Sequence, residues 1–440
     1  MRKIPRITAA VLCLFLCMTL CGCAPFTRDA DSLLSAPKLT GELQPVQEAL
    51  EKAVGGKYSL KFPASGETKA AITLVDLNGD QKNEAVAFYS TSEDSTVMMH
   101  VAVLDSSSGA WMRTAESKIV AGGVERVHFT DMDSDGVKEI VVGWNVYGDV
   151  NKTVSVYEYN GSSLINIIEE PYTSFLLCDL DNGFSSDLLT VYLDLSGGAA
   201  AANYFDVTGR GVAQLGACEL DGNVTAYYDP VLVKMQNGSY CVYLDCVKGA
   251  GLVTEVLYVE EGKLVAPFYD PVAKETAATY RPALVPCIDF DGDKILEIPV
   301  MTALPTDVNF SASAAYLTVW HSLEGNKLLP KAYTLMNYSD GYSITLTKEL
   351  AEATTAVRNL KNRERIIYEY DYAKNEFKGE LFRIRVVSKT AFDSGIYSNG
   401  YIVLDSNEVQ VWLAAVSPES KKFGIDEKKL GEMFKIISGE

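Results

Sequence analysis

The residues whose types and spacing could do chemistry are four short acidic runs, each set between apolar segments. They are ITLVDLNGDQKNEAVAFY, VHFTDMDSDGVKEIVVGW, FLLCDLDNGFSSDLLTVY and PCIDFDGDKILEIPVM, led by Asp76, Asp131, Asp179 and Asp289. Oxygens at positions 1, 3 and 5 of a tight loop converge on one point, and a glycine near position 6 permits the sharp turn. One run offers Asp76, Asn78 and Asp80, and the next offers Asp131, Asp133 and Asp135 with Gly136 at position 6. A third is degraded, keeping Asp179 and Asp181 but placing Gly183 at position 5. The last offers Asp289, Asp291 and Asp293, its Gly292 shifted to position 4. Carboxylates packed this closely repel one another and raise their own pKa values unless a cation joins them. Oxygen ligands without His or Cys favour Ca²⁺ over transition metals, and a protein-rich shell favours it over Mg²⁺. The expected role is to tie hairpins together, in the millimolar-to-submillimolar regime of extracellular modules.

The segments around these loops must hold them, and they recur. Asp76, Asp131 and Asp179 stand roughly fifty residues apart, and the interval to Asp289 is about twice as long, which is the signature of a repeat with a hidden member. The hidden unit is VLVKMQNGSYCVYLDCV, where Lys234, Gln236, Gly238 and Val242 stand at the ligand positions, so no ion is expected there. Each unit also has a glycine turn about half a repeat later: Gly109, Gly161, Gly209, Gly262 and Gly325, flanked by β-branched and aromatic runs such as VSVYEY and EVLYVE. Four short strands and two hairpins per unit predict a mostly β chain, with a β-propeller of about five four-stranded blades over residues 56–332.

The loops and their flanking strands resemble the integrin alpha-like FG-GAP or VCBS-type propeller repeats, although the literal Phe-Gly and Gly-Ala-Pro signatures are absent. The resemblance implies two further ligand positions. A backbone carbonyl at position 7 corresponds to Lys82, Val137 and Ile295, and an acid at position 9 to Glu84, Glu139, Asp187 and Glu297.

Arg2, Lys3 and Arg6 precede the apolar run Ile7–Leu20, which is short for a spanning helix and reads as an export signal. It exits through Leu20-Cys21-Gly22-Cys23, which resembles the bacterial lipobox. This resemblance implies a signal peptide at 1–22 and a diacylglycerol on Cys23, with the protein on the outer face of the cytoplasmic membrane or, alternatively, the outer membrane. Residues 23–55 then form a lipidated tether and a short helix, Pro45–Val54, that caps the first blade. The remaining cysteines, Cys178, Cys218, Cys241, Cys246 and Cys287, show no CxxC or zinc spacing. In one continuous strand Cys241 and Cys246 would face opposite sides.

From Tyr333 the repeat phase is lost, and residues 333–440 are expected to form a small α+β domain. Its strand candidates are YSITLT, ERIIYEYDY, LFRIRVVS, GYIVL and VQVWLAAV, closed by a helix over Asp426–Ile437. The order resembles the α/β/α sandwich of the PsbP and Mog-type family, which implies an accessory or partner-binding role and brings no catalytic residues.

The chain has 440 residues and a net charge of −19, which argues against nucleic acid as a partner. His100, His128 and His321 all sit in strand-like contexts, and the motifs of hydrolases, zinc proteases and nucleotide binders are missing. The expectation is a non-catalytic scaffold for an envelope protein or glycan. The enzymatic alternative is a five-bladed propeller glycoside hydrolase, with Asp194, Asp206 and Asp229 as acids outside the loops.

Overall fold

The computed structural model describes residues 40–437 except 93, 95–96, 107, 147–151, 184, 209–210, 236, 307–314 and 396–399. The signal peptide, Cys23 and the tether before residue 40 lie outside the described residues, as do Gly209 and Gln236. Among the described residues no helix is long and apolar enough to cross a membrane.

The chain is mostly β, as its alternating apolar runs require. The 12-residue helix α1 (Leu43–Val54) opens the described residues. The first sheet contains β1 (Tyr58–Leu60), β2 (Ile72–Val75), β3 (Glu84–Thr91), β4 (Met98–Asp105) and β5 (Met112–Val120). The second runs β6 (Gly123–Thr130), β7 (Glu139–Asn145), β8 (Lys152–Tyr159), β9 (Leu164–Tyr172), and the third β10 (Ser174–Cys178), β11 (Asp187–Asp194), β12 (Ala199–Thr208), β13 (Gly211–Leu220). The fourth holds β14 (Ala226–Tyr227), β15 (Val231–Lys234), β16 (Tyr240–Lys248), β17 (Gly251–Glu260) and β18 (Lys263–Val265). A two-stranded ribbon, β19 (Tyr269–Asp270) and β20 (Glu275–Thr276), precedes the fifth sheet, which starts with β21 (Ile298–Ala303), β22 (Tyr316–Glu324), β23 (Lys327–Asn337) and β24 (Tyr342–Leu346).

Hairpins set this rhythm. The acidic runs led by Asp76, Asp131 and Asp179 each join the strand before to the strand after, the run led by Asp289 is closed by an isolated bridge between Ile288 and Glu297, and Gly109, Gly161, Gly262 and Gly325 turn the next-but-one connection with positive φ. At Glu261 and Gly262 both central residues are left-handed (φ 51° and 73°), the geometry whose twist matches paired strands.

Strand alternation then lets one sheet serve two cores. Ala85, Ala87, Tyr89, Ala102 and Leu104 face α1, where Val46 and Leu50 are fully buried. Val86, Phe88, Val101 and Val103 point the other way and pack with Val127, Ile140, Val142 and Trp144 of the second sheet. In the fourth sheet Val242, Leu244 and Cys246 join the third-sheet core, while Cys241 and Tyr243 join Ile298 and Leu323 of the fifth. Cys241 and Cys246 therefore sit on opposite faces of β16, and all five described cysteines are free thiols. Burial pushes the Cys241 thiol up to about 12, so it packs as a small hydrophobe. Contacts divide the chain into two compact units, one built on α1 and most of the first two sheets, the other on the later sheets and the tail.

Tyr333, where the repeat phase fades, lies within β23, and the fifth sheet continues beyond it. The tail adds α2 (Lys348–Glu352), β25 (Thr354–Asn359), β26 (Glu364–Asp371), β27 (Glu376–Ser388), α3 (Lys389–Asp393), β28 (Ile402–Ser406) and β29 (Gln410–Val416). Its sheet has the order β25-β26-β27-β29-β28 and shares one core with the fifth sheet through Leu335, Ile344, Ile367, Phe382 and Trp412. The helix expected over Asp426–Ile437 is shorter: α4 (Glu427–Met433) is capped by Asp426, whose side chain accepts from the Lys429 N–H at 2.8 Å. Phe434 leaves the helix (φ −85°, ψ 137°), stacks on Tyr342 at 5.6 Å and starts β30 (Phe434–Ile436), which pairs with β24. Aromatic stacking and a free sheet edge override helix periodicity there. β25, TTAVRN, is not among the expected strands because its apolar content is low.

Candidate metal centres

The acidic loops share one backbone device. Positions 4 and 6 are the left-handed ones, and each loop gives glycine to at most one. Gly79 and Gly292 take position 4 while Gln81 (φ 68°) and Lys294 (φ 70°) bear the conformation at position 6. The second loop reverses this with Ser134 (φ 61°) and Gly136, and in the third Asn182 (φ 62°) stands at position 4. The shifted glycine of the last loop is thus the other half of the same turn, and a non-glycine residue there costs about 1 kcal/mol.

Hydrogen bonds fix the leading carboxylates. Asp76 accepts the N–H groups of Gly79 at 2.8 Å and Gln81 at 2.9 Å. Asp289 accepts those of Gly292 at 2.7 Å and Lys294 at 2.9 Å. Position 5 accepts from position 7 in both loops, Asp80 from Lys82 and Asp293 from Ile295, each at 2.8 Å. The acid at position 9 reaches back to the N–H at position 2: Glu84 to Leu77 and Glu297 to Phe290, both 2.8 Å. In the second loop Asp131 accepts from Asp135 at 3.1 Å and Gly136 at 2.9 Å, and Asp133 also accepts from Asp135. Val137, at position 7 of that loop, is half-buried, unlike Glu139 two residues on, which is buried.

The third loop solves the same problem with different parts. Asp187 is one methylene shorter than glutamate, and the Leu180 N–H donates at 2.8 Å to the Tyr204 hydroxyl, which in turn donates to Asp187. Ser185 donates to the other carboxylate oxygen at 3.0 Å. Asp187 is fully buried, and desolvation, reinforced by Asp181 and Asp206 against the Tyr204 and Ser185 bonds, pushes its pKa up to about 7. Desolvation also raises Asp181, Asp133, Glu84 and Glu297.

Among the described residues three groups of acids bring ligand oxygens within 4.8 Å of one another: Asp131, Asp133 and Glu139; Asp179, Asp181 and Asp187; and Asp289, Asp291 and Glu297. Each offers a converging all-oxygen donor set that fits a hard cation. The third loop, degraded in sequence, belongs to this set. The first loop has the amide of Asn78 at position 3, whose nitrogen donates to Glu84 at 2.8 Å and whose Oδ1 accepts from the Asp80 N–H at 2.9 Å. The unit led by Lys234 closes as a plain turn, with the Met235 N–H on the Ser239 carbonyl at 2.8 Å.

One residue that sequence reasoning missed changes the fifth sheet's loop. The Lys331 ammonium, brought by β23, lies 2.7 Å from Asp291, 2.6 Å from Asp293 and 3.0 Å from Glu297. A cation of this protein's own already sits among those carboxylates. Although burial works against its charge, the three acids raise the Lys331 pKa, and the Lys331 bond holds Asp293 below the usual carboxylate value.

No histidine belongs to these three acidic groups. His100 is buried with Nε2 2.9 Å from Asp94 and Nδ1 2.8 Å from Glu116, and its ring stacks on Tyr89 at 4.7 Å. Burial lowers the pKa of His128 and of His321. Asp194 accepts from the Ser196 N–H and hydroxyl at 2.9 and 2.6 Å, holding its own turn.

No protein-family model matches the sequence, and no curated protein matches it. Among solved structures, a periplasmic gluconolactonase from Pseudomonas aeruginosa aligns at 11% identity over 72% of this chain and 85% of its own, with a TM-score of 0.26. A rhamnogalacturonan lyase from Bacillus licheniformis aligns at 10% identity over 74% and 82%, TM-score 0.30. The Dos1 propeller aligns at 7% identity over 64% and 66%, TM-score 0.27. Overlaps this loose carry no information about activity.

Proposed function

We propose that this protein is a non-catalytic, lipid-anchored scaffold of the bacterial cell envelope. Its five successive sheets act as propeller-type blades whose acidic loops are tied by calcium, and its exposed loops present a protein or glycan binding surface. The observation that carries the reading is the convergence of three carboxylate groups at equivalent hairpins of different sheets. Such a placement braces hairpins, whereas a catalytic pair would be gathered at one cleft. The meander order of the sheets, and the use of both faces of the fourth for neighbouring sheets, support the blade assignment. The Cys23 anchor and the outer-face location rest on the lipobox alone.

The test is a calcium titration by calorimetry on the chain starting at Ala24, with thermal melting with and without EDTA. Two strong sites, at the loops of Asp131 and Asp179, and an upward shift of the melting temperature are expected. Absence of saturable calcium binding, or binding without stabilisation, overturns the structural-calcium reading.

A further inference from the structure

The tail carries a positive cluster in an otherwise acidic chain, at the turn between β23 and β24. Arg358 of β25 and Arg365 of β26 are direct cross-strand partners, so their like charges share one face of the tail sheet. That face is the one on which Ala356 and Ile367 enter the core shared with the fifth sheet. Arg365 is only 6% exposed. Its single hydrogen bond runs from Nη1 to the Met336 carbonyl at 2.7 Å, and its buried Nε has no partner. Arg358 gives one bond, to the Ser339 hydroxyl at 2.6 Å.

The acids nearby are already used. Asp340 is held by Arg363 through Nε at 2.9 Å and Nη2 at 2.7 Å, and its other oxygen accepts from Asn337 at 3.0 Å. Glu364, next to Arg365 in sequence, lies on the opposite face and pairs with Arg385 at 3.3 Å. Two guanidinium groups, one of them buried, thus have no carboxylate among the described residues. A buried charge persists when it is paired and fully hydrogen-bonded, and neither condition is met for Arg365 by protein atoms. Burial, together with repulsion from Arg358, works against its charge despite nearby Tyr342 and Asp340.

We propose that Arg358 and Arg365, with Arg363 at the rim, form a binding site for a phosphate group. Three guanidiniums and one carboxylate leave two positive charges, which a phosphate dianion balances and a single carboxylate does not. Guanidinium forks also match phosphate oxygens two at a time. The phosphate is either the free anion or the terminus of a phosphomonoester.

The experiment titrates the full chain, kept in EDTA so that phosphate cannot act through calcium, with inorganic phosphate, glycerol 3-phosphate, acetate and chloride. Calorimetry and melting temperature are read in the same samples. Phosphate is expected to bind at one saturable site and to raise the melting temperature, with acetate and chloride at matched ionic strength giving no saturable shift. Arg358→Gln, at a half-buried position, weakens phosphate at least tenfold, Arg365→Met abolishes it, and Arg385→Gln on the opposite face leaves it unchanged. Glycerol 3-phosphate binding as tightly as phosphate identifies an ester terminus as the ligand, and its exclusion identifies the free anion. No saturable phosphate binding, or equal binding by Arg358→Gln, overturns the proposal.

Discussion

The loops led by Asp179 and Asp289 start from the same hairpin and reach opposite electrostatic solutions. Around Asp289 the protein supplies its own cation, the Lys331 ammonium, to three carboxylates. Around Asp179 a buried Asp187 is bridged through Tyr204 to the backbone. One loop holds an internal ammonium among its carboxylates, and the other anchors its position-9 acid through a hydroxyl. Equivalent positions in a repeat therefore need not have equivalent ion requirements.

Removing the internal cation is the most forceful way to break this contrast. Lys331→Met should destabilise the calcium-free protein by about 2 kcal/mol, less than for a fully buried pair because the acids are partly exposed. Added calcium should restore the loss and titrate one more site by calorimetry than in the parent. Failure to gain a site would show that the ammonium was not standing in a cation's place.

The Asp179 loop is tested through its bridge. Tyr204→Phe leaves the buried Leu180 N–H unbonded, at a cost of about 2 kcal/mol in chemical denaturation. Adding Asp187→Glu to that variant should recover most of the loss, since glutamate spans the gap directly in the loops of Glu84 and Glu297. A double-mutant cycle without coupling would refute the bridge.

Proton linkage sharpens the contrast further. The folded pKa of Asp187, about 7, lies above its unfolded value. The native state consequently binds more protons between roughly pH 4 and 7, and this carboxylate's contribution to stability falls as pH rises through that window. Calcium binds the ionised form, so its stabilising shift in melting temperature should be larger at pH 7.5 than at pH 5.5. Asp187→Asn should flatten that difference. The smallest effect concerns the backbone: Gln81→Gly should gain about 0.5 kcal/mol by relieving a left-handed glutamine, measured by thermal melting.

The leading acids, the hidden unit around Lys234 and the glycine turns were legible because hairpin chemistry is local in sequence. Lys331 and Tyr204 were not. Each comes from a strand well beyond its loop, and only sheet register brings it back. The third loop looked weakened because Gly183 stands where position 5 should offer an oxygen, and the hydroxyl that serves its short position-9 aspartate lies on β12. The last helix was overread for a similar reason, since Leu430 and Met433 mark a helical stripe but the sequence does not announce that Phe434 turns to stack on Tyr342.

The pairing scheme also bears on how the chain comes together. Up to β24, each described strand bonds to one near it in sequence, so every sheet can close soon after its last strand is synthesised. β30 is the exception, because it must return to β24 across the whole tail sheet. Until then β24 presents an open edge, the kind of template on which a nascent chain pairs with the wrong neighbour. The hydrophobic stack of Phe434 on Tyr342 gives that late strand its own recognition signal, and makes it the latch that ends assembly.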